Sequence, residues 1–100
     1  DNVVGVTEVT HPYEWTNTLP HNMSMDGFIS DEAYLTRSQD FPKRYQINGA
    51  IYLIKKEVFL LCKKMISSKK SIAYIMDQNY SIDIDTENDL LLAECVTKKL

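Results

Sequence analysis

The second half of the sequence alternates short apolar segments of β type with amphipathic helical patterns. Residues 49–54 and 72–76 are apolar runs of strand length, and residues 80–85 have the two-residue alternation of another extended segment. Residues 55–67 and 87–99 instead repeat apolar positions at helical spacing. Strands that alternate with helices in this way predict an α/β fold.

Each predicted helix has one face that we expect to be buried. In the first helix this stripe consists of Val58, Leu61, Cys62, Met65 and Ile66. In the second helix we expect Leu90, Leu91 and Ala93 to face inward. Both cysteines, Cys62 and Cys95, lie within these apolar patterns, so we interpret them as small buried side chains. A disulfide between them would need an oxidising compartment that nothing else in the sequence suggests.

The first half of the sequence has one segment with a clear pattern. Four valines lie among threonine and glutamate over positions 3–10, with Gly5 interrupting, and predict a strand at the start. Because a domain rarely begins on its core strand, we expect that sequence upstream has been lost. Residues 11–40 are punctuated by proline, glycine and short polar side chains and are predicted to be irregular.

Length and composition limit the functions that this chain can have. One hundred residues form one domain or a piece of one, and the net charge of −3 gives no basic surface for nucleic acid. No apolar run approaches the roughly 20 residues that cross a bilayer. The first residues also lack the basic and apolar regions of a signal peptide, so we expect a cytoplasmic protein without membrane contact.

Two carboxylates are the strongest candidates for chemistry. Asp83 and Asp85 alternate with isoleucines, and in an extended segment their Cβ atoms would lie ~7 Å apart on one face. Magnesium takes one or two carboxylates and completes its shell with water and phosphate oxygens, so this spacing suits a metal site. The alternative is that Asp85 caps the last helix and Asp83 is an exposed acid. Thr86 and Asp89 form a weak version of a capping box at the same place.

A basic and aromatic segment precedes the second strand. Within residues 36–45, Arg37, Lys43 and Arg44 can bind an anion, for which the arginine fork suits carboxylate or phosphate. The alternative is a solvated loop. The two histidines lack metal-ligand spacing, and the sequence contains no glycine-rich phosphate loop.

Three motifs, taken in order, resemble one family. They are Arg-Ser-Gln-Asp-Phe-Pro at 37–42, Tyr-Gln-Ile-Asn-Gly-Ala-Ile-Tyr at 45–52 and Ser-Ile-Asp-Ile-Asp-Thr at 81–86, the last followed by Asp89 and Ala-Glu at 93–94. Together they are similar to the C-terminal half of the acylneuraminate cytidylyltransferases, the CMP-sialic-acid synthetases. The opening residues 3–8 and 11–13 also look like that family, so the resemblance spans essentially the whole chain.

The resemblance implies a transfer of cytidine monophosphate from CTP to the anomeric hydroxyl of a sialic-acid-type nonulosonic acid, with release of pyrophosphate. It implies that Asp83 and Asp85 hold Mg2+ (or Mn2+) and are the catalytic residues. The residues that it assigns to substrate binding are Arg37, Gln39, Asn48 and Tyr52.

The resemblance also implies the architecture. Residues 1–100 would be a C-terminal fragment of a single Rossmann-like cytidylyltransferase domain. Approximately residues 11–70 would include the acceptor pocket and a small dimerisation segment, which exchanges with the partner in a homodimer. The family's glycine-rich, lysine-bearing nucleotide loop belongs to an N-terminal half that is missing here, so we expect the fragment alone to be nearly inactive.

Two positions depart from the family and leave alternatives open. Ser38 stands where the closest bacterial members carry an arginine for the acceptor, and Glu14 stands where some members have a basic residue that reaches the partner's pocket. Both departures leave the identity of the acceptor open. The chain can also be a non-catalytic dimerisation module, or a cytidylyltransferase for a related keto-sugar acid.

Overall fold

The computed structural model describes residues 2–66 and 69–100, and these form a mixed α/β structure. The strands are β1 (Asn2–Glu8), β2 (Tyr45–Ile54) and β3 (Ser71–Ile75), and the helices are α1 (Asp31–Leu35), α2 (Lys56–Cys62) and α3 (Glu87–Thr97). Short 3₁₀ turns occur at Tyr13–Trp15, Ser38–Asp40 and Gln78–Tyr80. The predicted α/β class is confirmed, whereas the Rossmann-like arrangement stays a prediction.

The chain divides into two compact units. One unit contains β1 and the residues from Tyr45 onward, and the other is Val9–Arg44. In the first unit the strand order is β2-β1-β3, and β1 pairs antiparallel with β2 and parallel with β3. The valine-rich β1 is therefore the central strand, and its Val4 is only 5% exposed.

A wide bulge interrupts the pairing of β1 with β2. Val4 lies opposite Tyr52 and Val6 lies opposite Ile47, so Gly5 alone faces residues 48–51. The bulge contains Gly49 at a φ of 72°, a left-handed conformation that glycine adopts without a steric penalty. Gly5, which interrupts the valine pattern of β1, therefore marks the position of the bulge.

Helix α3 begins where the sequence predicts it. The Thr86 hydroxyl accepts a hydrogen bond from the Asp89 amide, and the Asp89 carboxylate accepts one from the Thr86 amide. This reciprocal pair is a capping box, with aspartate in the position that glutamate usually takes. The predicted cap is confirmed, although Leu90 and Leu91 are exposed rather than facing inward.

Helix α2 is shorter than the sequence predicts. It ends at Cys62 because Lys63 adopts a left-handed conformation with a φ of 57°, and the Lys63 amide donates to the Phe59 carbonyl. The predicted last residue, Ser67, lies outside the described residues. The predicted stripe is wrong at three of its five positions, since Leu61 is 88% exposed and Met65 and Ile66 lie beyond the helix. The other two, Val58 and Cys62, are half-buried.

Residues 80–85 do not form the predicted strand. The 3₁₀ turn Gln78–Tyr80 is followed by an irregular segment that leads to α3. The Asp77 carboxylate accepts from the Asn79 amide, and the Ser81 hydroxyl donates to the Asp77 carbonyl. These local bonds satisfy the backbone in a turn, and a strand would have needed a neighbour instead.

The unit Val9–Arg44 contains one helix that the sequence patterns did not indicate. Ser30 caps α1 by accepting from the Ala33 amide at 3.1 Å, and Ala33 is buried. The remainder of this unit is mostly irregular, as predicted, with Trp15 and Phe41 packed edge to face. A serine followed by two acidic residues was the available signal for this helix.

The structure also tests the predicted burial of the two cysteines, and it can be searched for a helix that spans a membrane. Cys62 is half-buried and Cys95 is exposed, and both are free thiols, so the prediction that both are buried is wrong for Cys95. Among residues 2–66 and 69–100, no helix has the length and apolar composition that spanning a membrane requires.

Candidate functional site

Residues 77–86 form the loop that carries both candidate metal ligands, and its first part is attached to the sheet. The Gln78 amide group donates to the Glu8 carbonyl at the end of β1, at 3.0 Å. The Ser81 hydroxyl donates to the Asp77 carbonyl, also at 3.0 Å. We call residues 81–86 the aspartate loop, and these bonds fix the point at which it begins.

Asn48 joins the β2 bulge to the aspartate loop. Its Nδ2 donates to the Ser81 hydroxyl at 3.0 Å and contacts the Met76 sulfur at 3.2 Å. Its Oδ1 accepts from the Ala50 amide at 3.0 Å. Both ends of the carboxamide are therefore engaged within the protein, and the side chain connects two segments that are distant in sequence.

The second end of the aspartate loop is fixed by Asp89. One carboxylate oxygen of Asp89 accepts from the amides of both Asp85 and Thr86, each at 3.0 Å. These bonds lower the pKa of Asp89, the largest contribution being the bond from the Asp85 amide. A charged acceptor at the start of α3 also complements the helix dipole.

Asp83 and Asp85 have carboxylates that are free to bind a ligand. Both side chains are exposed, and neither carboxylate has a hydrogen bond or an ion pair within the described residues. The same residues contain no group of three or more histidine, cysteine or acidic side chains that could enclose a metal. Exposed carboxylate oxygens are the kind of ligand that Mg2+ or Mn2+ takes together with phosphate oxygens, and they differ from the sulfur and nitrogen ligands of a structural zinc site.

The alternative role for Asp85 is wrong in this structure, because Thr86 rather than Asp85 is the N-cap of α3. Asp85 contributes its backbone amide to the cap and leaves its side chain exposed. The assignment of Asp83 and Asp85 to a metal site stays a prediction, and the segment that carries them is not paired in the sheet.

The predicted substrate-binding residues fall in different parts of the structure. Tyr52 lies on β2 opposite Val4 and is partly exposed. Arg37 and Gln39 belong to the unit Val9–Arg44, where Arg37 Nε donates to the Asp40 carboxylate at 3.1 Å. The structure connects Asn48 to the aspartate loop through Ser81.

Glu14 has a partner within its own unit. Its carboxylate accepts from Arg44 Nη2 at 3.1 Å, and the Arg44 guanidinium lies 5.3 Å from the centroid of the Tyr13 ring. The hydrogen bond from Arg44 is the main reason that the pKa of Glu14 is lowered. Of the three cations expected to bind an anion, Arg44 is thus engaged by Glu14.

Sequence reasoning missed Ser81 and Gln78 as residues that shape the site. Both act through contacts with residues more than 30 positions away, namely Asn48 and Glu8. The only local signal was the turn chemistry of Asp77 and Asn79.

Comparison with known proteins found no matching family model. The chain is 36% identical over 92 residues to an N-acylneuraminate cytidylyltransferase of Streptococcus agalactiae, a match that covers 91% of this chain and 22% of that protein. It is 32% identical over 97 residues to the Escherichia coli protein of the same name, covering 97% of this chain and 22% of that protein. It is also 34% identical over 65 residues to a CMP-N,N'-diacetyllegionaminic acid synthase of Campylobacter jejuni, covering 65% of this chain and 27% of that protein. The chain thus spans between about a fifth and a quarter of the length of these relatives.

Proposed function

This chain belongs to the acylneuraminate cytidylyltransferase family, and we propose that it is part of an enzyme that transfers CMP from CTP to a nonulosonic acid. The observation that supports this proposal is the aspartate loop. It is hydrogen-bonded at Ser81 and at the Asp85 amide, and the carboxylates of Asp83 and Asp85 are exposed. Two carboxylates on a loop that is fixed at both ends suit a reaction in which positioning and charge neutralisation supply most of the acceleration.

In the proposed reaction, the anomeric oxygen of the sugar attacks the α-phosphorus of CTP. A new oxygen–phosphorus bond forms as the bond to the bridging oxygen breaks, and pyrophosphate leaves with that electron pair. Asp83 and Asp85 would hold Mg2+ (or Mn2+), which neutralises charge on the phosphates when it is bound. One of the two carboxylates also takes the proton of the attacking hydroxyl.

Two residues are proposed to contact the sugar from the unit Val9–Arg44. The Arg37 side chain is 74% exposed and uses only Nε for Asp40, which leaves its terminal nitrogens for the carboxylate of the acceptor. Gln39 is exposed beside it and offers an amide for a hydroxyl group. Tyr52 on β2 contributes a partly exposed ring and hydroxyl.

The amount of exposed surface supports the proposal that this chain is part of a larger folded unit. The chain has an accessible surface of 8529 Å². A folded monomer of 11.6 kDa exposes about 5,800 Å². The excess of about 2,700 Å² is several times the ~800 Å² that one partner contributes to a standard interface. Large apolar side chains on the two outer strands, β2 and β3, contribute to it, among them Ile47, Leu53, Ile72 and Tyr74.

We infer that further polypeptide of the same enzyme, including a phosphate-binding segment for CTP, covers this surface, and that a homodimer covers a part of it. The same surface is the observation that favours the second candidate, a non-catalytic interaction module. The two candidates differ in whether a protein containing this chain turns over CTP.

The test uses the longer enzyme, by which we mean the whole protein of which we infer this chain to be a part, and identifies the product that it forms. It would be incubated with CTP, Mg2+ and, in separate reactions, N-acetylneuraminate, a legionaminic-type acid and an eight-carbon keto-sugar acid. We expect a CMP-sugar and one equivalent of pyrophosphate with at least one nine-carbon acid, detected by mass spectrometry and phosphorus NMR. Formation of no CMP-sugar from any acid would favour the interaction module, and reaction of the eight-carbon acid alone would favour the related enzyme.

A further inference from the structure

The carboxamide of Asn48 is used by the protein itself. Its nitrogen has two hydrogens, of which one is donated to the Ser81 hydroxyl at 3.0 Å and the other points to the Met76 sulfur at 3.2 Å. Its oxygen accepts from the Ala50 amide at 3.0 Å. A substrate that bound this side chain through its nitrogen would have to displace one of these contacts.

The bulge in the sheet is built around this side chain. A Cβ atom added to Gly5 would lie 2.9 Å from Asn48 Oδ1, closer than such atoms pack, and 3.2 Å from the Met76 sulfur, which is a tight contact. Gly49, which follows Asn48 within β2, has the left-handed φ of 72° that accommodates the bulge, after which β2 pairs with β1 again. Gly5 therefore makes room for the Asn48 side chain, and Gly49 supplies the backbone conformation that the bulge needs.

Ser81 connects Asn48 to the start of the aspartate loop by hydrogen bonds. Its hydroxyl donates to the Asp77 carbonyl and accepts from Asn48 Nδ2, which uses its single donor and one of its acceptor sites. Ser81 is half-buried and precedes Asp83 by two residues. It is the residue closest to Asp83 that is hydrogen-bonded to the sheet by its side chain.

We propose that Asn48 and Ser81 form a positioning pair, which fixes the start of the aspartate loop so that Asp83 and Asp85 meet one metal ion, and that Asn48 is not a ligand of the sugar. The proposal rests on the proposed function in one respect, namely that the metal ion binds together with CTP. It also revises the role that the family resemblance gave to Asn48.

The physical basis is the short distance along the chain between the two fixed ends. Asp89 holds the amides of Asp85 and Thr86, while Asn48 holds Ser81, so only three residues lie between the bonded positions. Loss of the hydrogen bonds at either end of the loop would let the carboxylates sample many positions. A metal site tolerates deviations of only about 0.5 Å. A net value of about 1 kcal/mol for one hydrogen bond corresponds to a roughly fivefold change in the population of the ordered loop.

The test is a double-mutant cycle in the longer enzyme, with Ser81→Ala, Asn48→Ala and both together. Hydrogen–deuterium exchange of the peptide spanning residues 79–86 is measured without substrates, and Mn2+ affinity is measured by electron paramagnetic resonance in the presence of CTP. Each single variant is expected to exchange about three to ten times faster and to bind Mn2+ several-fold more weakly. The double variant should lose clearly less than the sum of the two single variants, because both changes remove the shared Asn48–Ser81 bond while each also removes a bond of its own, to Ala50 or to Asp77.

Three controls separate positioning from other roles. Ser81→Thr retains the hydroxyl and should restore both readouts, whereas Ser24→Ala removes a hydroxyl that bonds only within its own turn and should change neither. The KM for the sugar acid should stay within about twofold in Ser81→Ala and Asn48→Ala.

Two results would overturn the proposal. One is unchanged exchange in both single variants, and this result counts even if the enzyme forms no CMP-sugar, so that it is distinct from failure of the proposed function. The other is a raised sugar KM in Asn48→Ala together with wild-type behaviour of Ser81→Ala, which would make Asn48 a substrate ligand.

Discussion

At the scale of single residues, Gly5 shows what the sequence could and could not predict. The glycine is visible as an interruption in a valine-rich strand, and this pattern located β1 correctly. The absence of a side chain at Gly5 is needed because the Asn48 side chain lies against it. Asn48 is more than 40 positions away in the sequence and reaches Gly5 through the bulge. A contact of this kind cannot be found from local patterns, because it is set by strand register.

Replacing Gly5 with alanine is therefore expected to destabilise the protein. The new methyl group would clash with Asn48 Oδ1 and the Met76 sulfur, and overpacking of this kind costs about 1–3 kcal/mol. Urea unfolding of the longer enzyme measures the loss. In an Asn48→Ala background the nearest clashing atom is absent, so Gly5→Ala should cost less there; an equal loss in both backgrounds would contradict this explanation.

At the scale of secondary-structure elements, boundaries set by side chains close together in the sequence were predicted correctly. The start of α3 was predicted because a capping box involves residues three positions apart. Residues 80–85 do not pair as a strand, because two-residue alternation says nothing about whether a partner strand is present, and the segment begins in a turn that Asp77 and Ser81 close. Helix α2 was predicted too long since the left-handed conformation of Lys63 has no signal in its side chain.

Asp89 gives a prediction about pH at this scale. Its pKa is lowered in the folded protein from the ordinary value of 3.8, so folding favours its charged form. Its contribution to stability is therefore present above pH 3.8 and is lost as the pH falls through the lower folded pKa. Compared with wild type, Asp89→Asn should have a lower thermal midpoint near neutral pH, and the difference should shrink below about pH 4.

This comparison uses the longer enzyme and a matched variant, Glu57→Gln, which changes an exposed carboxylate on α2 to an amide. The Glu57→Gln variant should keep the wild-type midpoint at both values of pH. A difference between wild type and Asp89→Asn that stays constant over this range would mean that the charge of Asp89 does not support the cap.

At the scale of the whole molecule, the α/β class and the family were predictable, whereas the distribution of buried residues was not. In the described residues the buried apolar side chains are Val4 and Ala33, although the sequence has the apolar content of an ordinary globular domain. The stripes assigned to α2 and α3 are largely exposed. A hydrophobic pattern identifies a face that can be buried, but it does not identify the element that covers it.

The isolated 100-residue chain should therefore behave differently from the longer enzyme. With about 2,700 Å² of excess surface, much of it apolar, we expect the chain alone to bind anilinonaphthalene sulfonate and to self-associate in sedimentation experiments. The longer enzyme should bind little of the dye. A monomeric chain without dye binding would contradict the inference that further polypeptide covers this surface.

The central claim is that Asp83 and Asp85 hold the divalent metal for CMP transfer, and one measurement tests it most directly. This is the rate of pyrophosphate release from CTP by the longer enzyme at saturating Mg2+ and sugar acid, for wild type, Asp85→Asn and Glu57→Gln. Loss of residues that merely support metal ligands lowers activity about 10- to 100-fold, so Asp85→Asn should lower the rate by about a hundredfold or more. Glu57→Gln should keep the wild-type rate. An Asp85→Asn enzyme with an undiminished, magnesium-dependent rate would contradict the claim.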